Sequence, residues 1–370
     1  MKLHKSVYGL VDAPLQWYEA LNDGIVAIGG VRLSYDKCAW VWHAEDSSLL
    51  AMLCAHVDDL YCAADPSFED SLLRKLRALF PVGKEKRGDF VYCGLHVSTE
   101  LDSNGRMVSV VVDQKAYIDK ITPMEIPITS GDQDRPLGHD EQSDYRGIVG
   151  ALLWATTSTR PDHAYRVCRL SQQTGAPTVK HVVQANKLLA TMKKQSLSLR
   201  YPRLMGELRL IGYHDSSWGN AEDGRTVGGW IWILASSDTK GNERFSTLQW
   251  RSKTLRRVVK STFGGETLSC TAALDDLFHI ANALKAIIKT TPIPVTLRTD
   301  CASLWDHIYL KKQVTEKRLL VELSLIRDYI ESGDVQNLEW IETSRQLADE
   351  LTKSKSPVLL TRCLNSGILP

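Results

Sequence analysis

The chain has 370 residues and a formal net charge of +1, and this length predicts two or three domains of about 100 to 200 residues each. The near-neutral charge excludes a strong overall basic field, so a nucleic-acid partner would have to be held by local patches. The eight cysteines lack Cys-x-x-Cys spacing and the apolar runs are far shorter than the roughly 20 residues of a membrane-spanning helix, so the sequence predicts a soluble protein of a reducing compartment without a disulfide framework or zinc site.

The first third of the chain is predicted to form small sheets with flanking helices. Trp17, Tyr18 and Leu21 have helical spacing, and residues 32–64 alternate like strands. A helix is predicted from Phe68 to Phe80, because its leucines share one side and its basic residues the other. Shorter strand-like and helical stretches follow to Ile121. The segment from Pro123 to about Ser143 is rich in Pro, Gly, Asp and Ser and is predicted to be a linker or long loop.

Two adjacent acids separate a pair of apolar strands in this region. Leu49–Ala55 and Leu60–Ala64 flank His56-Val57-Asp58-Asp59, which predicts a hairpin with Asp58 and Asp59 at its tip. Acids in a tight turn are often only solvated. Metal binding is the alternative, and the buried character of both strands favours it.

Three helices are predicted next, over Tyr145–Ser158, Asp162–Gln173 and Thr178–Gln195. The third carries the strongest local basic cluster, formed by Lys180, Lys187, Lys193 and Lys194. Such a cluster either binds nucleic acid or forms a solvated helix face, and the pattern alone leaves both open.

From Glu207 the pattern changes to three strands followed by alternating helices and strands, which predicts a mixed sheet with helices packed on it. The predicted elements are strands 208–214, 228–234 and 247–251, helix 264–288, strand 295–299, helices 302–308 and 317–332, strand 337–341 and helix 346–351.

Four acids lie at strand ends or near helix starts of this sheet: Asp215, Glu266, Asp300 and Asp349. Asp215 alone would be interpreted as a solvated turn residue. Acids placed in this way can converge on one sheet edge, where carboxylates and substrate phosphate oxygens suit Mg²⁺. Two ions about 3.5 to 4 Å apart would activate water and stabilise the leaving oxygen of a phosphodiester.

The chain resembles the C-terminal part of copia-type retrotransposon Pol polyproteins, that is, the later part of the reverse transcriptase followed by ribonuclease H. The matching motifs follow one another along most of the chain: Lys5-Ser6-Val7-Tyr8-Gly9-Leu10, Val57-Asp58-Asp59, Gln114-Lys115-Ala116-Tyr117-Ile118, Gly150-Ala151-Leu152-Leu153-Trp154, Thr159-Arg160-Pro161-Asp162, Gly212-Tyr213 with Asp215 and Trp218, Arg225-Thr226, Ser261 with Glu266, Asp300, and Gln346-Leu347-Ala348-Asp349-Glu350-Leu351-Thr352-Lys353.

The resemblance implies an α+β and α/β multidomain fold. It predicts a partial reverse-transcriptase palm and thumb over residues 1–125, a linker and helical connecting segment over 126–205, and a ribonuclease H-like mixed sheet with flanking helices over 206–370. It implies a cytoplasmic protein, with a virus-like particle or the nucleus as alternatives. The oligomeric state is not predicted.

The resemblance also implies the site residues. The ribonuclease H metal ligands would be Asp215, Glu266, Asp300 and Asp349, holding two Mg²⁺ or Mn²⁺ ions, and the polymerase ligands would be Asp58 and Asp59. Residues expected to contact an RNA·DNA hybrid or other nucleic acid are Lys187, Lys193, Lys194 and Arg225. The expected activity is metal-dependent hydrolysis of the RNA strand of such hybrids.

The sequence also departs from the resembled proteins at several positions. The chain begins at the Lys5–Leu10 block, so the fingers and an earlier metal-binding Asp are not part of it, and we expect this chain alone not to synthesise DNA. His56 and Asp12 replace residues that are usually Tyr and Gln in the resembled proteins. The alternatives are a non-catalytic nucleic-acid-binding remnant and a truncated gene model of a full RNA-directed DNA polymerase.

Overall fold

The computed structural model describes residues 9–127, 131–219, 224–237, 241, 243–289, 292–314, 316–354 and 358–370. Lys5–Tyr8 of the first matching block therefore lie outside the described residues. The described chain forms two compact units. One contains the residues up to Cys93 and the segment from Phe278 to Pro292, and the other contains the remainder. The division into three segments near residues 125 and 205 stays a prediction.

The first unit contains helices and a four-stranded antiparallel sheet in the order β1-β2-β3-β4. Its elements are α1 (Ala13–Ala27), β1 (Val31–Arg32), β2 (Ala39–His43), β3 (Leu49–His56), β4 (Asp59–Ala64), α2 (Pro66–Leu79) and strand β5 (Asp89–Tyr92). Leu21 of α1 and Leu72 of α2 pack with Trp40 and Leu53 of the sheet in a buried cluster. The predicted helices and the hairpin between β3 and β4 are present.

The second unit begins with short strands and a helical bundle. Its first elements are β6 (Leu95–Leu101), β7 (Met107–Asp113), α3 (Lys115–Lys120), α4 (His139–Ser158), α5 (Ala164–Ser171), α6 (Val179–Lys194) and β8 (Leu199–Pro202). Strands β6, β7 and β8 are antiparallel neighbours. Tyr145, Leu152 and Leu189 are buried between the helices. Helices α4, α5 and α6 of this bundle correspond to the three helices that the sequence predicts.

Helix α4 starts earlier than predicted, because residues 139–143 are helical and not part of a linker. Their polar composition suggested a loop. In the structure the Glu141 carboxylate accepts hydrogen bonds from the Gly138 amide at 2.8 Å and from Arg135 at 2.9 Å. These bonds satisfy an otherwise unpaired amide at the helix start, so a solvated polar first turn is stable.

The rest of the second unit is a mixed five-stranded sheet in the order β11-β10-β9-β12-β13 with helices packed on it. Its elements are β9 (Leu208–Ser217), β10 (Val227–Ser237), β11 (Glu243–Thr254), α7 (Thr262–Ile287), β12 (Val295–Thr299), α8 (Ala302–Tyr309), α9 (Leu320–Glu331), β13 (Asn337–Trp340) and α10 (Val358–Ser366). The last part of α7, from Phe278 on, belongs to the first unit. Strand β9 is antiparallel to β10 and parallel to β12, and β12 is parallel to β13. The predicted mixed sheet is confirmed.

The predicted helix over residues 346–351 is a 3-10 helix over Leu347–Leu351. The Gln346 side chain accepts a hydrogen bond from the Ala348 amide and donates one to the His214 carbonyl on β9 at 3.0 Å. These bonds hold the short segment against the sheet in the tighter 3-10 geometry. Side-chain hydrogen bonds of this kind cannot be predicted from an amphipathic pattern. No helix in the described parts of the chain is both apolar and long enough to span a bilayer.

Candidate metal centre

Three of the four predicted acids meet at one edge of the mixed sheet. Asp215 lies near the end of β9, Glu266 in the first turns of α7, and Asp300 directly after β12. One carboxylate oxygen from each residue lies within 4.8 Å of one from each of the others. The parallel pairing of β9 with β12 explains why Asp215 and Asp300 reach the same edge.

Glu266 reaches the edge because α7 approaches β9 closely. A β-carbon at Gly265 would lie 2.6 Å from Ser216 Oγ, so a larger residue there would push the helix away. Ser216 donates to Glu266 Oε1 from its amide at 3.0 Å and from its hydroxyl at 2.9 Å. Ser269 of α7 donates to the Asp215 carbonyl at 2.7 Å. Gly265 therefore permits the close approach of α7 to β9.

Asp300 is held by the segment that follows β13. The Thr343 hydroxyl donates to Asp300 Oδ2 at 2.8 Å, and the Trp340 indole donates to the Asp300 carbonyl at 3.2 Å. Asp300 is half-buried. Its carboxylate is therefore oriented from one side and retains acceptor capacity for a further partner.

Asp349 is close to this group but is not one of the three clustered acids. Its Oδ1 forms an ion pair with Lys353, four residues later in the chain. The Lys353 ammonium also lies 3.7 Å from Asp215 Oδ2, and the Thr352 hydroxyl donates to the same oxygen. A cation thus stands between Asp349 and Asp215, and the predicted role of Asp349 as a fourth ligand stays a prediction.

The clustered carboxyls have perturbed acidities. Burial raises the pKa of Asp215 to about 6, although Lys353 and the Thr352 hydrogen bond act in the opposite direction. Burial, together with the charge of Asp215, raises the pKa of Glu266 well above its usual value. His214 supplies no balancing charge, because burial lowers its pKa to about 3. Two buried acids that resist ionisation are a setting in which a bound cation is favourable.

The donor set fits a hard divalent cation. Glu266 Oε2 is buried without a hydrogen-bond partner in the described structure, and His214 Nδ1 lies 3.6 Å from it, too far for a hydrogen bond. Three carboxylates with an unsatisfied oxygen suit the oxygen preference of Mg²⁺ and Mn²⁺. Asp215, Glu266 and Asp300 are the residues that would hold such an ion.

We expect the Mn²⁺ affinity of this centre to fall as the pH is lowered through about 6. Below that pH Asp215 is protonated, and the raised pKa of Glu266 adds a second proton that a metal must displace. Each displaced proton changes the affinity by up to about tenfold per pH unit. Calorimetric titrations in buffers of different ionisation enthalpy would measure the affinity and the proton release together. An affinity that is flat across this range, with no proton release, would contradict the expectation.

The paired acids of the first unit are placed differently. Val57 and Asp58 form the turn between β3 and β4, while Asp59 begins β4 opposite His56. The Trp17 indole donates to the Val57 carbonyl at 2.7 Å. Asp58 and Asp59 are exposed, and within the residues the structure describes neither belongs to a group of three potential ligands. Their role as polymerase ligands stays a prediction.

The basic residues expected to bind nucleic acid also differ among themselves. Lys187 and Lys194 are exposed on α6, and Arg225 is exposed just before β10. Lys193 instead donates to the carbonyls of Asp119 at 3.1 Å and Ile121 at 2.6 Å, at the end of α3. Two of its donors therefore stabilise a helix end, and the binding role of all four residues stays a prediction.

Two residues at the centre had no predicted role. Lys353 and Thr352 belong to a motif that the resemblance includes, but nothing in the sequence assigns them to the Asp215 carboxylate. The four-residue spacing of Asp349 and Lys353, which is typical of a helical ion pair, is the signal that could have indicated their contact.

Comparison with known proteins shows similarity to transposon Pol polyproteins. No protein-family model matches the chain. The chain is 26% identical, over 96% of its length, to the Retrovirus-related Pol polyprotein from transposon RE1 of Arabidopsis thaliana, of which it spans 24%. It is 27% identical, over 70% of its length, to the putative transposon Ty5-1 protein YCL074W of Saccharomyces cerevisiae, covering 83% of that protein.

One solved structure has a similar fold. The foamy viral protease-reverse transcriptase in complex with double-stranded DNA aligns with 90% of this chain and 50% of its own, with a TM-score of 0.51 and 13% identity. That likeness agrees with the predicted multidomain α/β architecture. In sequence the chain is similar to Pol polyproteins of retrotransposons, and it spans about a quarter of the RE1 protein's length.

Proposed function

We propose that the chain hydrolyses the RNA strand of RNA·DNA hybrids with the help of divalent metal held by Asp215, Glu266 and Asp300. The observation that carries this proposal is the convergence of these three carboxylates, with one buried unpartnered oxygen on Glu266. Bound Mg²⁺ or Mn²⁺ activates water and stabilises the leaving oxygen of a phosphodiester. The similarity to transposon Pol polyproteins supports this reaction over other metal-dependent hydrolyses.

The residues around the centre have distinct tasks in this proposal. Ser216 fixes one oxygen of Glu266, and Thr343 fixes one oxygen of Asp300, so the other oxygen of each carboxylate would be available to hold the metal. The exposed cations Lys187, Lys194 and Arg225 would contact phosphates of the duplex. Such contacts position a substrate without reading its sequence, and their strength falls steeply with salt.

The proposal is tested by incubating the purified chain with an RNA·DNA hybrid whose RNA strand is end-labelled, in Mg²⁺, in Mn²⁺ and in chelator. Single-stranded RNA and duplex DNA of the same sequence are the matched controls. We expect cuts at many positions of the RNA strand in the hybrid only, and none in chelator. Binding of the hybrid without any cleavage would instead support the alternative, a non-catalytic nucleic-acid-binding protein.

A further inference from the structure

Lys353 has an unusual place for a lysine, inside a group of acids. Its ammonium is in an ion pair with Asp349 Oδ1 and lies 3.7 Å from Asp215 Oδ2, and its side chain is 31% exposed. Asp215 in turn is one of the three clustered acids. Lys353 thus connects the fourth acid, Asp349, to the trio through a shared carboxylate.

The charges around Lys353 make this contact strong. Asp215, Asp349 and Asp300 all act on it, and although burial lowers its pKa, these acids hold the pKa of Lys353 above its usual value. The groups next to the acids are neutral: the Thr352 hydroxyl donates to Asp215, and His214 beside Glu266 is uncharged at neutral pH because burial lowers its pKa. Among the ion pairs of the described residues, Lys353 is the permanent cation that contacts Asp215 and Asp349.

Asp215 is therefore shared between two cation positions. One is the space among the clustered oxygens of Asp215, Glu266 and Asp300. The other is the position between Asp215 and Asp349, which the lysine ammonium fills. In two-metal hydrolytic sites the ions are about 3.5 to 4 Å apart. The lysine ammonium is a compact point charge, so it can occupy the position of a metal ion.

We propose that Lys353 fills the second cation position in the substrate-free protein, so that the free chain binds one divalent ion and a second can enter only when the lysine moves away. This inference rests on the proposed function, because it takes the clustered acids to be the metal centre. Lys353 is a positioning residue in this proposal, since it acts on the metal ligands and not on the substrate.

Two consequences follow from removing the ammonium. Asp349 and the free side of Asp215 become available, so a second Mn²⁺ can bind. Without metal, the acids lose their balancing charge and repel one another, so the folded state is destabilised. Added metal then restores what the lysine supplied. A purely structural lysine would leave a stability defect that metal does not repair.

The test is a Mn²⁺ titration of the full chain, followed by calorimetry and by electron paramagnetic resonance. We expect one bound ion for the parent chain and for Lys353→Arg, two for Lys353→Met, and one for the double variant Lys353→Met with Asp349→Asn. Lys115→Met, which breaks the exposed four-residue ion pair with Asp119, is the matched control and should leave one ion. Lys353→Gln replaces Lys353→Met should the latter not fold.

Thermal melting supplies the second readout. Lys353→Met should melt several degrees below the parent in chelator, and Mn²⁺ should close that gap, whereas the control variant should follow the parent in both conditions. One bound ion in Lys353→Met, or a melting gap that Mn²⁺ leaves unchanged, overturns the inference. Failure of the parent chain to bind Mn²⁺ would overturn the proposed metal centre itself, so the two failures are distinguishable.

Discussion

Asp300→Asn is expected to reduce cleavage of an RNA·DNA hybrid by about a thousandfold or more in Mg²⁺ and in Mn²⁺. The substitution removes one charged ligand of the trio, and a catalytic metal supplies several kcal/mol of transition-state stabilisation. The fold should persist, because the Asn side-chain oxygen can still accept the Thr343 hydrogen bond. Single-turnover rates on a labelled hybrid give the measurement.

The matched control for that variant is Asp306→Asn. Asp306 lies on α8, six residues after Asp300, and forms an ion pair with Lys312 outside the clustered acids. We expect it to cleave at the parent rate. Equal cleavage by Asp300→Asn and the parent would remove Asp300 from the centre. Equal loss in both variants would mean that charge alone, and not ligation, controls the rate.

Arg160→Met is expected to lower the free energy of unfolding by about 3 to 5 kcal/mol, because it leaves a buried acid without its partner. Arg160 binds Asp162 through Nε at 2.9 Å and Nη2 at 2.7 Å, and its Nη1 donates to the Met192 carbonyl at 3.0 Å. The two side chains are 2% and 3% exposed. Urea unfolding of the full chain, followed by circular dichroism, measures the loss.

Two further variants separate the ion pair from simple packing. Arg146→Met changes an exposed arginine of α4 whose side chain, within the described residues, donates a hydrogen bond to Gln142, and it should alter stability by less than about 0.5 kcal/mol. Replacing both partners, as Arg160→Met with Asp162→Leu, should restore most of the loss, since no charge is then buried alone. A double variant as unstable as Arg160→Met would attribute the effect to lost packing.

The sequence predicted the elements better than the contacts between them. Strand alternation and helical spacing located the mixed sheet and the helices, because those periodicities depend on which side of each element is buried. The helix predicted over residues 346–351 was wrong in type, and α4 began earlier than predicted. Both differences arise from side-chain hydrogen bonds, made by Gln346 and Glu141, that a hydrophobic pattern does not contain.

The candidate centre was predictable only in part for the same reason. The order of acids pointed to Asp215, Glu266 and Asp300, since strand ends and helix starts of one sheet edge converge. The order could not show that Asp349 faces Lys353, which depends on side-chain direction within the 3-10 segment. The closeness of Gly265 to Ser216 appears only once α7 is packed on β9. Lys193 looked like part of a binding surface, yet its ammonium contacts the end of α3.

The most direct test of the account compares two variants in one hybrid-cleavage assay with Mn²⁺. Asp215→Asn removes the carboxylate that the clustered acids and Lys353 share, and the double variant Asp58→Asn with Asp59→Asn removes the exposed acids of the β3–β4 turn. The account predicts that cleavage of the RNA strand is lost in Asp215→Asn and unchanged in the double variant. Cleavage that survives in Asp215→Asn, or is lost with Asp58 and Asp59, would contradict it.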